Sequence, residues 1–272
     1  FMPVLSPNEH QFGVKVANVF HGNFSKKIPT IHAIVLLFDS ATGEPRAMLD
    51  GENITAVRTG AASGLASDLL ARKDAQTLAI FGAGIQGRAQ FEGVHAVRNI
   101  QTCLLFDTNR NQAESLADDL SSRFECDFRV AESDRELRKA EIICTATNSF
   151  EPVFSDTSLG SGVHINAIGA YTREMSEVPP ATVARSKIIV DQRDACLTEA
   201  GDLIKPIKSG LLTDQNIHAE LGEIVENKTE GRLNEKEITL FKSVGNAIQD
   251  LVCANYIFET AVAKNLGTTI NL

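Results

Sequence analysis

The sequence has no basic cluster, no long apolar run and no leader-like amino terminus. Its 272 residues carry a formal charge of −9, and a chain of this charge without clustered Lys or Arg is not expected to bind nucleic acid or an anionic membrane surface. No apolar run approaches the roughly 20 residues that span a bilayer. No charged segment followed by an apolar one indicates a secretory signal. We therefore predict a cytoplasmic protein without nucleic-acid or membrane partners.

Cysteine and histidine are few, and their spacing is wrong for a metal site. The five cysteines form no CxxC pair and the six histidines form no HxxxH pair, so no metal site is predicted. Cys103 and Cys144 lie inside apolar runs, as reduced core cysteines of cytosolic proteins do. Hydrophobic residues make up 43% of the chain, enough to bury one large core or two modest ones.

A glycine-rich stretch near the middle of the first half organises the chain. Leu78 to Phe81 is a short apolar run that predicts a buried parallel strand, and it ends at Gly82-x-Gly84-x-x-Gly87 before a helical pattern. In the dinucleotide-binding fingerprint these glycines give a tight turn, a close approach to a pyrophosphate and close packing of helix on strand. The amides at the start of the helix then face the phosphates.

An acidic residue at the right distance strengthens this interpretation. The second apolar run, Cys103 to Phe106, ends at Asp107, which lies 20 residues beyond Gly87. An acidic residue at that offset binds the ribose 2′-hydroxyl and favours NAD. Arg110 and Thr108 follow, and an arginine there accommodates a 2′-phosphate, so NAD(H) and NADP(H) both stay open. The alternative is an ordinary strand-turn-helix with a surface aspartate.

The rest of the pattern predicts an α/β fold, a doubly wound parallel Rossmann sheet joined to a second α+β domain. Residues 12–16, 31–38 and 46–50 are strand-like around a hairpin turn, and a helix rich in small residues is expected from Glu52 to Leu70. Strands are expected at 77–81, 102–106, 126–130, 141–145, 163–168 and 187–190. Helices are expected at 84–97, 110–122, 133–139, 180–185, 195–200, from Ala219 and from Phe241 to about Lys264.

Two strand ends are predicted to line the cofactor cleft, because ligands of such sheets lie beyond the carboxyl ends of the strands. The residues at these ends are Thr145, Ala146, Thr147, Ile168 and Gly169.

Many short motifs, in order along the whole chain, resemble the ornithine cyclodeaminase/mu-crystallin family. They are Gly13-Val-Lys15-Val, Pro29-Thr30, Leu36-Leu-Phe-Asp39, Gly43-Glu-Pro45, Ala56-Val-Arg58-Thr59-Gly-Ala-Ala, Gly82-Ala-Gly84-Ile85-Gln86, Glu199-Ala-Gly-Asp202, Ala219-Glu-Leu-Gly222-Glu223 and Phe241-Lys-Ser243-Val-Gly245.

The resemblance implies NAD(P)-dependent chemistry at the α-carbon of an amino or imino acid and a homodimer. It implies a substrate-binding and dimerisation domain at 1–60 plus 246–272, and a dinucleotide-binding domain at 61–245. Lys15 and Arg58 match the basic pair that grips the substrate carboxylate, and arginine supplies a planar fork suited to that group. The alternatives are a solvent-facing Lys15 and a structural ion pair at Arg58.

The resemblance also implies the remaining cofactor contacts. Thr59 resembles a phosphate-contacting residue and Ser243 a residue near the nicotinamide, although both fit helix caps as well. The fingerprint residues Gly82, Gly84, Ile85 and Gln86, together with Arg58, complete the cofactor-binding set.

Two departures from the family pattern bear on function. The family has about fifty further residues upstream, with another carboxylate-binding arginine, whereas this sequence starts inside that first domain. Members that cyclise ornithine carry an aspartate in the turn after the fifth strand, where this chain has Tyr171. A phenol with a pKa near 10 is a poor base at neutral pH.

We therefore expect reduction of a cyclic imino acid, such as Δ1-pyrroline-2-carboxylate or Δ1-piperideine-2-carboxylate, to L-proline or L-pipecolate. Lys15 and Arg58 would anchor the carboxylate, and Glu199 or Asp202 would orient or protonate the imine nitrogen, with a helix-end charge as the alternative for either. Ornithine cyclodeaminase and alanine dehydrogenase are the competing activities. A protein that binds NAD(P)H and a small ligand without turnover is the alternative of a different class.

Overall fold

The computed structural model of the chain describes residues 1–6, 11–20, 22–23, 28 and 31–270. The Pro29-Thr30 motif therefore lies outside the described residues. The chain forms two compact units, the first unit being Phe1–Arg58 with Asn246–Leu272 and the second unit Thr59–Gly245. Among the described helices, none is long and apolar enough to cross a membrane.

Twelve strands and eight α-helices are described. The strands are β1 (Met2–Ser6), β2 (Gln11–Val19), β3 (Ile31–Asp39), β4 (Pro45–Asp50), β5 (Thr77–Phe81), β6 (Thr102–Phe106), β7 (Asp127–Val130), β8 (Ile142–Thr145), β9 (His164–Ala167), β10 (Lys187–Val190), β11 (Ile217–Glu220) and β12 (Thr239–Lys242). The helices are α1 (Gly51–Leu70), α2 (Ile85–His95), α3 (Arg110–Ser121), α4 (Pro180–Arg185), α5 (Arg193–Glu199), α6 (Gly201–Lys208), α7 (Leu221–Val225) and α8 (Ala247–Ala263). Short 3₁₀ helices lie at Asp134–Lys139, Asp156–Ser158 and Asp214–Asn216.

The first unit is an antiparallel sheet with α8 packed on one face. The strand order is β1-β2-β3-β4, and β2 pairs with β3 so that Lys15 lies opposite Val35. Asp39 closes the predicted hairpin, because its carboxylate accepts the amides of Ala41 and Thr42 at 2.9 and 3.0 Å. The core between sheet and helix consists of Val35, Leu37, Ile54, Leu251 and Ala254.

The second unit is an eight-stranded parallel sheet with helices on both faces. Its strand order is β11-β10-β12-β9-β8-β5-β6-β7. The strand order reverses between β5 and β8, which is where such folds bind their ligands. The central strands are buried on both faces, as in Leu78 to Ile80 and Ile142 to Cys144. The predicted α/β fold with a second α+β domain is confirmed.

Two predicted helix starts are wrong, and both are strands. The stretch around Phe241 is β12, which lies between β9 and β10, and α8 starts only at Ala247. Asn246 caps α8 by accepting the Gln249 amide at 3.2 Å. Ala219 likewise belongs to β11, and α7 follows at Leu221. Each of these strands is only four residues long, too short to show a period of its own next to a helix, which is why the sequence pattern merged them with the helices.

Candidate active site

A buried cluster of opposite charges lies in the first unit. Lys15 is on the face of β2 that points to α8, and its Nζ donates to Oδ1 and Oδ2 of Asp250 at 3.1 and 3.3 Å. Arg58 Nε lies 3.2 Å from Asp250 Oδ1, and its Nη1 donates to Gln249 Oε1 at 3.0 Å. The side chains of Lys15, Arg58 and Asp250 are 6%, 9% and 2% exposed. The structure thus brings the two predicted basic residues together around one carboxylate.

The charge count of this cluster favours an anionic ligand. Two cations face one carboxylate, so one positive charge is left without a partner among these three side chains. Burial lowers the pKa of Lys15, Asp250 opposes that shift, and the charge of Arg58 adds to it. Because a buried charge is costly unless paired, a carboxylate from a ligand fits this cluster.

The glycine-rich turn in the second unit has the backbone that the fingerprint predicts. Gly82 has φ +96°, in the left-handed region, and its amide donates to the Phe106 carbonyl at 2.8 Å. A Cβ on Gly87 would lie 1.9 Å from the Gly82 carbonyl oxygen, so only glycine allows α2 to pack this closely. Gly84 is the N-cap of α2, and because it has no side chain it does not cap the first amides of the helix.

The space in front of this turn fits a pyrophosphate. A Cβ on Gly84 would meet only the Gln112 amide nitrogen, at 3.8 Å. The start of an eleven-residue helix, with its amides and dipole, faces this open side. The glycine-rich turn and the start of α2 therefore fit the pyrophosphate of a nicotinamide dinucleotide, as the fingerprint predicts.

Asp107 lies beside the turn, as a ribose-binding carboxylate must. Its Oδ2 accepts the Ala83 amide at 2.7 Å and its Oδ1 the Asn109 amide at 2.7 Å. Arg110 is largely exposed and donates to Glu114 at 2.8 Å, and Thr108 is exposed. A carboxylate fixed next to the turn repels a 2′-phosphate, whereas the arginine is held by its own helix neighbour.

Glu177 joins, by hydrogen bonds, the two strand ends that are predicted to line the cofactor cleft. Its Oε1 accepts the amide and the hydroxyl of Thr147 at 2.6 and 2.7 Å. Its Oε2 accepts the Thr145 hydroxyl at 2.9 Å and the amides of Gly169 and Ala170 at 2.7 and 3.0 Å. Glu177 is fully buried, and one carboxylate thus joins the loops after β8 and β9.

Asp202 and Lys242 complete a buried network with Glu177. Asp202 Oδ1 accepts the amides of Glu177 and Val178 at 2.7 and 3.1 Å, and Lys242 Nζ lies 3.3 Å from Asp202 Oδ2. Lys242 Nζ also donates to the Ala167 carbonyl at 3.0 Å. Burial raises the pKa of Glu177, Asp202 adds to that shift, and Lys242 opposes it. Asp202 is fully buried and its carboxylate belongs to this network, so its predicted role toward the imine nitrogen stays a prediction.

The other predicted residues differ in exposure. Glu199 is exposed at the end of α5, and Ser243 is buried and donates to Asp191 at 2.7 Å. Tyr171 is 39% exposed after β9. The remaining residues predicted to contact the cofactor also differ in burial. Thr59, Ile168 and Gly169 are buried, Gln86 and Ala146 are partly buried, and Ile85 is exposed.

Three charged residues of these networks were not predicted, and each left only a weak signal. Asp250 is an acid inside the apolar pattern of α8, and Lys242 is a lysine inside the apolar run of β12. Glu177 lies just before Val178 and two prolines, in a segment whose sequence shows no helical or strand period. A charge in an apolar run needs a buried partner, and that rule alone marks Asp250 and Lys242.

A metal site is not supported by the described residues. Within the described ranges, no group of three or more His, Cys, Asp or Glu side chains is arranged to hold a metal ion.

The sequence matches a known family along nearly the whole chain. A sequence profile of the ornithine cyclodeaminase/mu-crystallin family matches residues 1–265. A Δ1-pyrroline-2-carboxylate reductase of Bacillus cereus is 40% identical over 99% of this chain and 83% of its own length. The resemblance predicted from the motifs is confirmed.

Two solved structures are similar over nearly the whole chain. The Δ1-pyrroline-2-carboxylate reductase of Thermococcus litoralis, in complex with NADH and L-proline, has a TM-score of 0.92 at 39% identity and matches 99% of this chain and 88% of its own. An archaeal alanine dehydrogenase dimer with bound NAD has a TM-score of 0.93 at 31% identity, and the match covers 99% of this chain and 83% of the dehydrogenase chain.

Proposed function

We propose that this chain, which belongs to the ornithine cyclodeaminase/mu-crystallin family, reduces a cyclic imino acid to the corresponding cyclic amino acid. The substrate is Δ1-pyrroline-2-carboxylate or its six-membered homologue Δ1-piperideine-2-carboxylate, and the product is L-proline or L-pipecolate. The reductant is NADH or NADPH. Relatives from Bacillus cereus and Thermococcus litoralis, which bear the name Δ1-pyrroline-2-carboxylate reductase, support this choice.

The observation that carries the proposal is the charge count around Asp250. Among the described residues, Lys15 and Arg58 retain one positive charge that Asp250 does not balance, in a buried setting that suits a substrate with one carboxylate. The second unit supplies the nucleotide turn at Gly82, Gly84 and Gly87 with Asp107 beside it. An acid-binding group and a dinucleotide site are the two parts that such a reductase needs.

The chemistry asks little of the protein beyond binding and orientation. A bound reduced nicotinamide supplies the hydride, and the imine nitrogen carries the proton that makes the α-carbon electrophilic. Lys15 and Arg58 fix the carboxylate and with it the α-carbon, and positioning of this kind supplies much of a rate enhancement. Glu199 stays the acidic candidate for orienting the imine nitrogen.

The competing activity, ornithine cyclisation with loss of ammonia, needs a base that this chain lacks in the expected turn. Tyr171 stands where the ornithine-cyclising members carry an aspartate. The similarity to the archaeal alanine dehydrogenase supports alanine dehydrogenation as a second candidate activity. Pyruvate with ammonia therefore belongs in the test.

The decisive test is oxidation of NADH and of NADPH by the protein with the imine made from proline by an amino-acid oxidase. We expect fast loss of the reduced-cofactor absorbance with the imine, and faster with NADH than with NADPH because Asp107 repels a 2′-phosphate. Ornithine with NAD and pyruvate with ammonia and NADH are the parallel arms. Ammonia released from ornithine, or a higher kcat/KM with pyruvate, would contradict the proposal, and bound cofactor without turnover would favour a binding protein.

We also infer that two copies associate through the outer face of the four-stranded sheet. Side chains alternate along β2, so Phe12, Val14 and Val16 point away from α8 while Lys15 points toward it. Ile34 and Met48 on the same outer face are 41% and 65% exposed. A contiguous apolar face of this kind marks an interface, and the archaeal alanine dehydrogenase is a dimer. Sedimentation is expected to give twice the chain mass of 29.4 kDa.

A further inference from the structure

We propose that Asp250 is a positioning residue of the acid-binding cluster: it holds the Lys15 ammonium and the Arg58 guanidinium side by side and balances one of their two charges, so that the cluster takes a single carboxylate. The inference rests on the proposed function only for the identity of the ligand. The geometry that supports it lies entirely in the first unit.

One carboxylate bridges the two cations. Asp250 Oδ1 lies 3.1 Å from Lys15 Nζ and 3.2 Å from Arg58 Nε, and Oδ2 lies 3.3 Å from the same Nζ. The ammonium and guanidinium donors outnumber the acceptors that Asp250 and Gln249 provide. A ligand carboxylate can therefore join the cluster without displacing Asp250.

Asp250 is itself held firmly. It lies in the first turn of α8, where the helix dipole favours an anion. The next residue, Leu251, is 1% exposed in the core of the first unit, and the Asn246 cap fixes the start of the helix. The carboxylate thus has a fixed place from which it sets the places of both cations.

Without Asp250, two like charges would face each other in a buried site. Burial and Arg58 both lower the pKa of Lys15, and Asp250 is what raises it. The charged groups described as acting on Lys15 are Asp250 on α8 and Arg58 on α1, and Cys253 on α8 interacts with these two. Burial raises the pKa of Cys253, so this thiol stays neutral and does not replace the missing charge. Loss of Asp250 should therefore release the Lys15 proton at lower pH.

The first test follows Lys15 itself and needs no ligand. Protein labelled with carbon-13 lysine is titrated by NMR from about pH 6 to about pH 11, and the Lys15 signal is assigned by its absence from Lys15→Arg. In Asp250→Asn the titration midpoint is expected to fall by at least about one pH unit. Glu259→Gln removes the same charge from an exposed position of the same helix and should leave the midpoint unchanged.

The second test measures the dissociation constant of L-proline in the presence of NADH, a pair that cannot react. Binding needs the cation, so it weakens as pH rises through the Lys15 midpoint. In Asp250→Asn that weakening is expected to begin at least about one pH unit lower, so that above both midpoints proline binds about tenfold more weakly than to the wild type. The ionisation of proline itself is the same for all variants and cancels in the comparison.

The outcomes separate this inference from the proposed function. A Lys15 midpoint unchanged in folded Asp250→Asn, or moved equally by Glu259→Gln, overturns the role of Asp250 even if the wild type reduces the imine. A shifted midpoint in a protein that reduces no imine supports Asp250 and rejects the proposed function. If Asp250→Asn does not fold, Asp250→Glu carries the test: it keeps the charge, so weaker proline binding with an unmoved midpoint is expected, and a lowered midpoint contradicts the inference.

Discussion

Replacing Lys15 with methionine is expected to lower kcat/KM for the cyclic imino acid by roughly 30- to 1,000-fold, equivalent to about 2–4 kcal/mol of transition-state stabilisation. Methionine keeps much of the apolar length of lysine but removes the ammonium that faces Asp250 at 3.1 Å. Asp250 and Arg58 then neutralise each other, and the cluster loses its uncompensated charge. Steady-state rates with the imine, at several imine concentrations and saturating NADH, give the ratio directly.

The matched control is Lys73→Met, because Lys73 is 77% exposed and pairs with Asp68 in the second unit. That variant should keep the wild-type kcat/KM. NADH binding, followed by the fluorescence of the reduced cofactor, should be the same in the wild type and both variants, since the nucleotide turn belongs to the second unit. A Lys15→Met protein that binds NADH normally and reduces the imine at the wild-type rate would remove Lys15 from the site.

The nucleotide turn was predictable from the sequence because its physics is local. Gly82, Gly84 and Gly87 are close in the chain, and the constraints on them come from one turn and the helix that follows it. The position of Asp107 beside the turn was predictable for the same reason, because one crossover helix and one strand separate it from the turn in the chain. Lys15 and Arg58 came from the family resemblance and not from spacing.

The partners of these residues were not predictable, because they lie far along the chain. Asp250 is 235 residues from Lys15, and Glu177 lies 32 residues beyond the Thr145 that it fixes. No sequence period links such pairs, and one sequence read by itself shows no covariation. The prediction of a helix from Phe241 was wrong for the same reason, since only the sheet shows that Phe241 lies in β12, between β9 and β10.

Replacing Lys242 with methionine is expected to lower the free energy of unfolding of the second unit by about 3–5 kcal/mol. Lys242 is fully buried and is the cation described for two buried carboxylates, those of Asp202 and Glu177. Methionine fills similar volume, but it leaves these carboxylates without a counter-charge. Urea unfolding followed by circular dichroism measures the effect, and the loops after β8 and β9 should loosen with it, so NADH binding is expected to weaken as well.

The destabilisation should depend on pH in a definite direction. Burial already raises the pKa of Glu177 above its ordinary value of 4.5, and Lys242 opposes that shift, so removing Lys242 raises this pKa further. A group whose pKa is higher in the folded state stabilises fully below its unfolded pKa, and that contribution is lost as pH rises through the folded pKa. The stability difference between wild type and Lys242→Met is therefore expected to be larger near pH 8 than near pH 5.

Two further variants separate charge from packing. Lys236→Met changes an exposed lysine of the same unit and should leave stability unchanged within about 0.5 kcal/mol. Asp202→Asn in the Lys242→Met background removes one of the two carboxylates while its Oδ1 still accepts the Glu177 and Val178 amides. It should therefore restore part of the lost stability and flatten the pH dependence. A Lys242→Met protein that is equally destabilised at both pH values, and is not rescued by Asp202→Asn, would mean that the cost is lost packing and that the three charges do not act as one network.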